Sequence, residues 1–306
     1  MKAILLRARG GPESLAYGDL PRPRPRKGEV LVRVHATAVT PTEFAWVPTW
    51  RTPTGEARPF PIILGHEFSG VVADLGPGVT ALSEDSPVYG FTDWFSNGTD
   101  AEYCVSRVTE LAPKPRSIDH VHAAVVPISA VTAWQGLFDR GGLRAGQRAL
   151  IHGAAGGVGS FAVQLARWRG GHVIGTASGG NLDFVHELGA DEVVDYKTTR
   201  FEEIVHDVDV VFDTVGGDTL ERSRRVLKPS GKMVTIATQS AGSTDEAVRN
   251  AFFVVEAKGE QLAEIARLID AGHLRPVVDI VFALAQARQA YEYKPRRGKV
   301  VLRVLE

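Results

Sequence analysis

The chain has a single cysteine, Cys104, in 306 residues. That excludes an internal disulfide and a zinc site built from several thiolates. No stretch approaches the roughly 20 consecutive apolar residues of a membrane-spanning helix. A charge bias is missing too: 35 Lys and Arg stand against 36 Asp and Glu, a formal net charge of -1. No global field therefore favours nucleic acid or an anionic membrane as a partner. The opening Met1-Lys2-Ala3-Ile4-Leu5-Leu6-Arg7 is too short and too quickly charged for a secretory leader. These absences predict a cytoplasmic protein. One local cluster, Pro21-Arg22-Pro23-Arg24-Pro25-Arg26-Lys27, looks like a nucleic-acid motif, but alternating proline makes it an extended polyproline connector on the surface.

The most informative feature present is Ile151-His152-Gly153-Ala154-Ala155-Gly156-Gly157-Val158-Gly159. It lies between an apolar strand-like stretch, Arg148 to Ile151, and a helical stretch, Ser160 to Trp168. A strand that stops in glycines and restarts as a helix builds a phosphate site. Missing side chains let a pyrophosphate reach the main chain, and free N–H groups with the positive end of the helix dipole hold its charge. The spacing G-x-x-G-x-x-G is a relative of G-x-G-x-x-G. It marks Gly153, Ala155, Gly156, Gly157 and Val158 as cofactor-binding candidates.

Periodicity divides the chain. Up to about residue 120 it is β-rich: Lys2 to Leu6, Glu29 to Ala36, Ile62 to Val72, Ser86 to Phe91 and Ala101 to Val105 have strand character, separated by Gly and Pro. Helix and strand then alternate. Helices are expected at His120 to Val126, Ala130 to Arg140, Ser160 to Trp168, Leu182 to Leu188 and Thr219 to Leu227. Strands are expected at Arg148 to Ile151, His172 to Ala177, Glu192 to Asp195, Asp209 to Asp213 and Lys232 to Ala237. Such alternation predicts a parallel sheet covered by helices on both faces. Gln261 to Ala271 reads as a further helix. A last strand, Gly298 to Leu305, is expected to rejoin the β-rich part, making the nucleotide unit an insertion.

A series of fragments runs in order along nearly the whole chain: Met1-Lys2-Ala3, Gly28-Glu29-Val30-Leu31-Val32, Leu64-Gly65-His66-Glu67-Phe68-Ser69-Gly70-Val71-Val72, Ala101-Glu102-Tyr103, the glycine run, Leu188-Gly189-Ala190-Asp191, Phe212-Asp213-Thr214-Val215-Gly216-Gly217 and Gly298-Lys299-Val300-Val301-Leu302. Together they resemble the zinc-independent branch of the medium-chain dehydrogenase/reductase superfamily, the quinone oxidoreductase-like proteins. The resemblance implies an α/β protein with a GroES-like β-rich catalytic domain and an inserted Rossmann domain, a doubly wound parallel sheet. The expected division is 1–120 catalytic, 121–255 NADP-binding and 256–306 a return to the catalytic domain. The active-site cleft would lie between them.

The second strand of the nucleotide unit ends Gly175-Thr176-Ala177-Ser178-Gly179-Gly180-Asn181. NAD-selective folds usually place a carboxylate there; this turn has none. Ser178 and Asn181 can donate hydrogen bonds to a 2′-phosphate. Ser178 and Tyr196 also match the places where NADPH-using relatives contact it. Relatives often carry Lys or Arg where Gly179 and Gly180 stand, so Lys294 or Arg297 is expected to supply the charge. The cofactor expected is NADPH rather than NADH.

Zinc-dependent relatives take a ligand from the His of a His-Glu pair, here His66-Glu67. Their thiolate would fall at Thr40 and their third ligand near Ile128-Ser129, so three good ligands are lacking. No metal is expected, and His66 reads as a hydrogen-bonded cleft residue. Without a metal to polarise a simple ketone, hydride from the nicotinamide suits a quinone or an α,β-unsaturated carbonyl, whose charge is delocalised. Thr40 and Tyr89 are the catalytic candidates, Thr40 beginning Thr40-Pro41-Thr42-Glu43 where relatives show Asn-Pro-x-Asp. Thr132 is placed at the nicotinamide end, with Val215 and Ala237 at strand ends beside the cofactor. Trp46, Trp50, Phe91, Trp94 and Phe253 are candidate pocket walls. Rival readings are a dedicated enoyl reductase and a non-catalytic NADPH-binding protein. A homodimer is expected, as in the family.

Overall fold

The computed structural model describes residues 1–305. The first part holds eight strands: β1 (Lys2–Leu6), β2 (Leu15–Asp19), β3 (Glu29–Ala38), β4 (Ile62–Ile63), β5 (Glu67–Leu75), β6 (Pro87–Phe91), β7 (Tyr103–Arg107) and β8 (Leu111–Pro113). β3 shows why they form. Val30, Val32 and Val34 alternate inward and pack with Phe68, Val72, Val88 and Cys104. That is the two-residue period of a strand with β-branched side chains on its buried face. β2, β1 and β4 make a small antiparallel sheet at one side. The Pro21–Lys27 run carries no helix or strand, and Arg22 lies 4.2 Å over the Tyr103 ring.

The middle of the chain forms a five-stranded parallel sheet from β9 (Arg148–His152), β10 (His172–Ala177), β11 (Glu192–Asp195), β12 (Val208–Asp213) and β13 (Leu227–Thr235), in the order β11-β10-β9-β12-β13. β9 is buried on both faces, so it is a continuous apolar run rather than an alternating one. The order reverses between β9 and β12. At that switch point the loops after the two strands diverge and leave a crevice. A single bridge, Thr235 to Phe252, continues the sheet beyond β13. The helix expected at Ala130 to Arg140 begins earlier, at Pro127, and its last part, Gln135–Arg140, widens into a π-turn. There is no room for a side chain at Gly136: a Cβ would meet the Phe212 ring at 2.4 Å.

Two strands close the chain, β14 (Val278–Ala283) and β15 (Lys299–Arg303). β15 pairs antiparallel with β3, Val301 opposite Ala38, so the larger sheet runs β14-β15-β3-β5-β6-β8, with β7 also on β3. The end of the sequence thus returns to its beginning. Gly298 also touches the nucleotide unit, donating its N–H to the Ala155 carbonyl at 2.9 Å. That contact sets the C-terminal strand against the glycine loop.

Candidate active site

The glycine run folds as a tight turn between β9 and the helix Gly157–Trp168, and three glycines do three jobs. Gly153 has φ 71, a left-handed conformation that disfavours a side chain, and a Cβ there would sit 2.3 Å from Thr214 Oγ1. Gly156, which precedes the helix, is exposed, and a Cβ there would press on the Gly153 carbonyl oxygen at 3.3 Å. Gly159 packs so closely that a Cβ would meet the Gly153 carbonyl oxygen at 2.1 Å. The helix is buried on all sides from Gly159 to Ala166, and its first N–H groups lack intrahelical acceptors. A glycine turn that ends on free helix N–H groups has the chemistry that suits a diphosphate.

Across the switch point, Asp213 organises the opposite loop. Its buried carboxylate accepts from Val215 N at 3.1 Å, Gly216 N at 2.8 Å and Thr235 Oγ1 at 2.7 Å. Thr214 donates to the His152 carbonyl at 2.8 Å. Val215 is half exposed, and a Cβ on Gly216 would meet Ala237 at 2.5 Å. Gly153, Val215 and Ala237 therefore share one rim. His152 itself belongs to the core: its ring nitrogens lie 3.0 Å from Thr176 Oγ1 and 2.9 Å from Ser223 Oγ, and burial pushes its pKa down to about 3.

A groove of about 860 Å³ runs from the glycine loop past Ser178 and Tyr196 to Arg296 and Arg297. Of the two cations considered from sequence, Arg297 is the one placed here; Lys294 is not among the lining residues. Arg297 lies 4.6 Å over the Phe184 ring, its Nε donating to Asn181 Oδ1 at 2.8 Å and its terminal nitrogen to the Gly180 carbonyl at 3.1 Å. A Cβ on Gly180 would meet nothing within 4 Å, so the turn leaves open space beside the guanidinium. Asn181 has a different job from the one expected. Its amide is committed to Arg297, Ser178 Oγ and the Arg296 carbonyl, so it holds the arginine in place. The turn after β10 has no carboxylate, but Asp195 at the end of β11 comes close, 2.8 Å from where a Gly179 Cβ would sit.

On the side of the glycine loop where Lys299 passes Gly157, the register of β15 on β3 sets the arrangement. Val39 N donates to the Val300 carbonyl, which brings Thr40 beside Lys299. The Lys299 ammonium donates to Thr40 Oγ1 at 3.1 Å and forms an ion pair with Glu67. Glu67 is fully buried at the start of β5, and its other oxygen accepts from Ile128 N at 2.9 Å. Burial pushes the Glu67 carboxyl above the usual range, and Lys299 opposes that rise. Sequence reasoning missed this pair. Both residues lay inside quoted fragments, but nothing local says that they meet.

His66 sits between Trp46 and Trp94, ring centroids 6.1 and 5.1 Å away, and Phe91 packs on Trp94 at 5.7 Å. Three of the five expected wall aromatics are thus together. Trp50 is elsewhere, bonding the Phe44 carbonyl at 2.7 Å, and Phe253 packs in the core of the nucleotide sheet. Behind His66 lies a buried polar cluster. His66 Nε2 is 3.2 Å from Glu43 Oε1, and Nδ1 is 3.2 Å from Thr92 Oγ1. Tyr291 donates to Asp100 Oδ2 at 2.8 Å, Asp100 also accepts from Thr37 at 3.1 Å, and both Glu43 oxygens lie 3.1 Å from Gly65 N. Burial, reinforced by the neighbouring Glu43, raises Asp100 to about 7.

Tyr89 must be reassigned. It is fully buried in β6 and donates to the Leu262 carbonyl at 2.6 Å, so its hydroxyl is spent on packing the helix Gly259–Asp270. Thr132 is buried within the helix Pro127–Trp134. The donors do not suit a catalytic zinc. Both nitrogens of His66 are engaged, Thr40 accepts from an ammonium, and Ile128 N is turned to Glu67. Among the described residues no group of three or more His, Cys, Asp or Glu could hold a metal.

A dinucleotide crevice between a parallel sheet and a β-rich lobe defines a nicotinamide-type oxidoreductase. Comparison with known proteins agrees. Residues 26–116 match the alcohol dehydrogenase GroES-like domain and 188–302 the zinc-binding dehydrogenase domain. The chain is 34% identical to a probable mitochondrial zinc-binding oxidoreductase of Arthroderma benhamiae, covering 95% of this chain and 94% of the relative. It is 32% identical to the mitochondrial NAD(P)H oxidoreductase RTN4IP1 of Danio rerio, covering 91% and 84%. The solved quinone oxidoreductase from Coxiella burnetii superposes with a TM-score of 0.90 at 31% identity, covering 99% of each chain. The chain belongs to the medium-chain dehydrogenase/reductase superfamily, with quinone oxidoreductase-like relatives, and is an oxidoreductase. "Zinc-binding" in the matched names describes those proteins. Two relatives carry a mitochondrial name, so the cytoplasmic expectation gains no support from them. No helix among the described residues is long and apolar enough to cross a membrane.

Proposed function

We propose that the protein is an NADPH-dependent reductase of quinones or α,β-unsaturated carbonyls that works without a metal. Reduced nicotinamide, when bound, supplies the hydride. The chain's own residues bind, orient and neutralise. Gly153, Ala155, Gly156, Gly157 and Val158 hold the diphosphate against the helix N-terminus. Thr132, Val215 and Ala237 border the nicotinamide half, and Thr40 stands where the acceptor meets it. Trp46 and Trp94 meet edge to face at 5.4 Å, and the face of either ring offers a conjugated acceptor a stacking surface. In the proposed division, residues 1–120 and 256–306 carry the acceptor side and 121–255 the coenzyme side. A dedicated enoyl reductase would share this machinery; no observation here favours it.

The observation that carries the NADPH reading is Arg297, clamped by Asn181 and Gly180 beside Ser178 and Tyr196. A guanidinium fixed in this way suits a phosphate. Asp195 nearby argues for the ribose hydroxyls of NADH, but one of its oxygens already accepts from Lys197 N at 3.0 Å. Arg297→Gln tests the choice. A hydrogen bond to a charged group is worth about 1.5–3 kcal/mol, so NADPH affinity should fall about ten- to a hundred-fold while NADH affinity holds. Equal losses for both coenzymes would reject the 2′-phosphate role. Failure of either coenzyme to bind the wild type, by fluorescence titration, would reject the reductase.

A further inference from the structure

Lys299 is a cation at the reacting end of the cleft for which the fold has made several provisions. Gly157 lacks the Cβ that would sit 2.7 Å from Lys299 Cγ, so the stem passes between the phosphate loop and the helix carrying Ser129. Gly298, fixed to Ala155, sets where the stem begins. Glu67, buried and anchored by Ile128 N, draws the ammonium from behind. The ammonium then donates to Thr40 Oγ1 at 3.1 Å. Thr40 is half exposed, and its own hydroxyl proton has no acceptor among the described residues.

A hydroxyl that accepts from a cation becomes a stronger donor, because the two bonds polarise one another in a site of low dielectric constant. We propose that Thr40 and Lys299 form an oxyanion subsite, in which the Thr40 hydroxyl, backed by the Lys299 ammonium, binds an anionic oxygen of phenolate or enolate type. The inference rests on the reductase reading above and gives it the charge that a conjugated acceptor develops on its oxygen. Thr40 touches the ligand; Lys299 acts through Thr40 and is a positioning residue. The competing account is that Lys299 only neutralises Glu67. That role would move stability alone.

The test uses 4-nitrophenol, whose neutral and ionised forms differ in colour, with the full chain and no coenzyme, at a pH near the phenol's own midpoint. A nearby cation should favour the bound phenolate by about ten-fold over the free probe. Lys299→Arg should keep most of the enrichment. Thr40→Val should abolish it without changing the melting temperature. Because Lys299→Met alone strands the Glu67 carboxylate, the double variant Lys299→Met/Glu67→Gln is measured with its melting curve, and it too should show no enrichment. No phenolate enrichment on the wild type, or enrichment that survives in the folded double variant, overturns the subsite. NADPH titration of the same samples separates the two readings. Intact coenzyme binding without phenolate enrichment sinks only the subsite, and enrichment without coenzyme binding sinks only the reductase. In the reductase assay Thr40→Val should lower kcat with a quinone and leave KM for NADPH unchanged.

Discussion

The two ends of the cleft are built from different material. The glycine-turn end is mostly main chain: four glycines within seven residues, a helix terminus and a crossing strand. The reacting end is side chains gathered from far apart. Lys299 reaches Thr40 across 259 positions and Glu67 across 232. Backbone sites are neutral and keep their shape whatever surrounds them. Side-chain sites depend on desolvated charges, each needing a partner. The comparison teaches that the glycine turn is a local property of this chain, whereas the Arg297 clamp and the Thr40–Lys299–Glu67 cluster are properties of its whole topology.

The sharpest way to break that comparison is to remove a buried charge. Glu67→Ala leaves Lys299 without its anion and Ile128 N without an acceptor. Breaking a buried ion pair costs about 3–5 kcal/mol. Denaturant unfolding should show that loss, with the reacting lobe the first part to lose amide protection. A change below 1 kcal/mol would mean that the pair is solvated and that the two ends are not so different.

The acidic cluster gives a second test through pH. Asp100 is fully buried, and its folded-state pKa is raised from 3.8 to about 7, by desolvation first and then by Glu43. The folded chain therefore holds this proton more tightly than the unfolded chain. Asp100's contribution is complete below pH 3.8 and is lost as pH rises through about 7. At one pKa unit per 1.36 kcal/mol the loss is on the order of 4 kcal/mol at most. Thr37 and Tyr291 can bond an amide in the same place. Relative to the wild type, Asp100→Asn should gain melting temperature as pH rises from about 4 to 7, because it no longer has this proton to lose. At the phosphate end His152 has the opposite sign: its pKa is depressed to about 3, so its contribution is present above 6.5 and lost as pH falls. The two contributions oppose each other between about pH 4 and 6.5, so the difference between wild-type and Asp100→Asn scans, not the wild-type scan alone, isolates the acidic cluster.

Gly159→Ala should act at the phosphate end and leave the acceptor chemistry alone. The new methyl would meet main chain, the Gly153 carbonyl oxygen at 2.1 Å, which has no rotamer to yield. Overpacking of this kind costs about 1–3 kcal/mol. The loop that shifts is the diphosphate cradle, so coenzyme Kd should rise by at least about ten-fold. Phenolate binding at Thr40 should stay as in the wild type.

The same contrast explains what could be read from the sequence. Strand β9, the turn and the following helix lie within one window, so periodicity and glycine spacing found them with errors of a few residues. The return of the last strand was an inference from order, and pairing of β15 with β3 is what the structure adds. Arg297 was one of two cations suggested for the coenzyme pocket because glycines stood where a cation was wanted. Glu67 was considered only with His66, its neighbour in sequence, whereas its partner is Lys299. His66's own partner, Glu43, lies in the departure from Asn-Pro-x-Asp that had drawn attention to Thr40. Strand registers decide such pairings, and a shift of one residue would turn each side chain to the other face.

Tyr89 is the smallest and cleanest test, because sequence reasoning placed it in catalysis and the structure places it in packing. A tyrosine at a strand end near a cleft and a tyrosine under a helix look alike in one dimension. Here the hydroxyl donates to the Leu262 carbonyl at 2.6 Å, and burial pushes its pKa upward, so it keeps its proton. Tyr89→Phe removes one neutral bond and leaves one carbonyl short of a donor. That should cost about 1 kcal/mol. For a chain of this size a loss of that order lowers the melting temperature by about 2–4 °C. Quinone reduction at saturating NADPH should be unchanged, since nothing that touches the acceptor moves. A fall in kcat without a change in stability would return Tyr89 to the reacting end. It would also mean that the helix Gly259–Asp270, which Tyr89 anchors, opens during turnover.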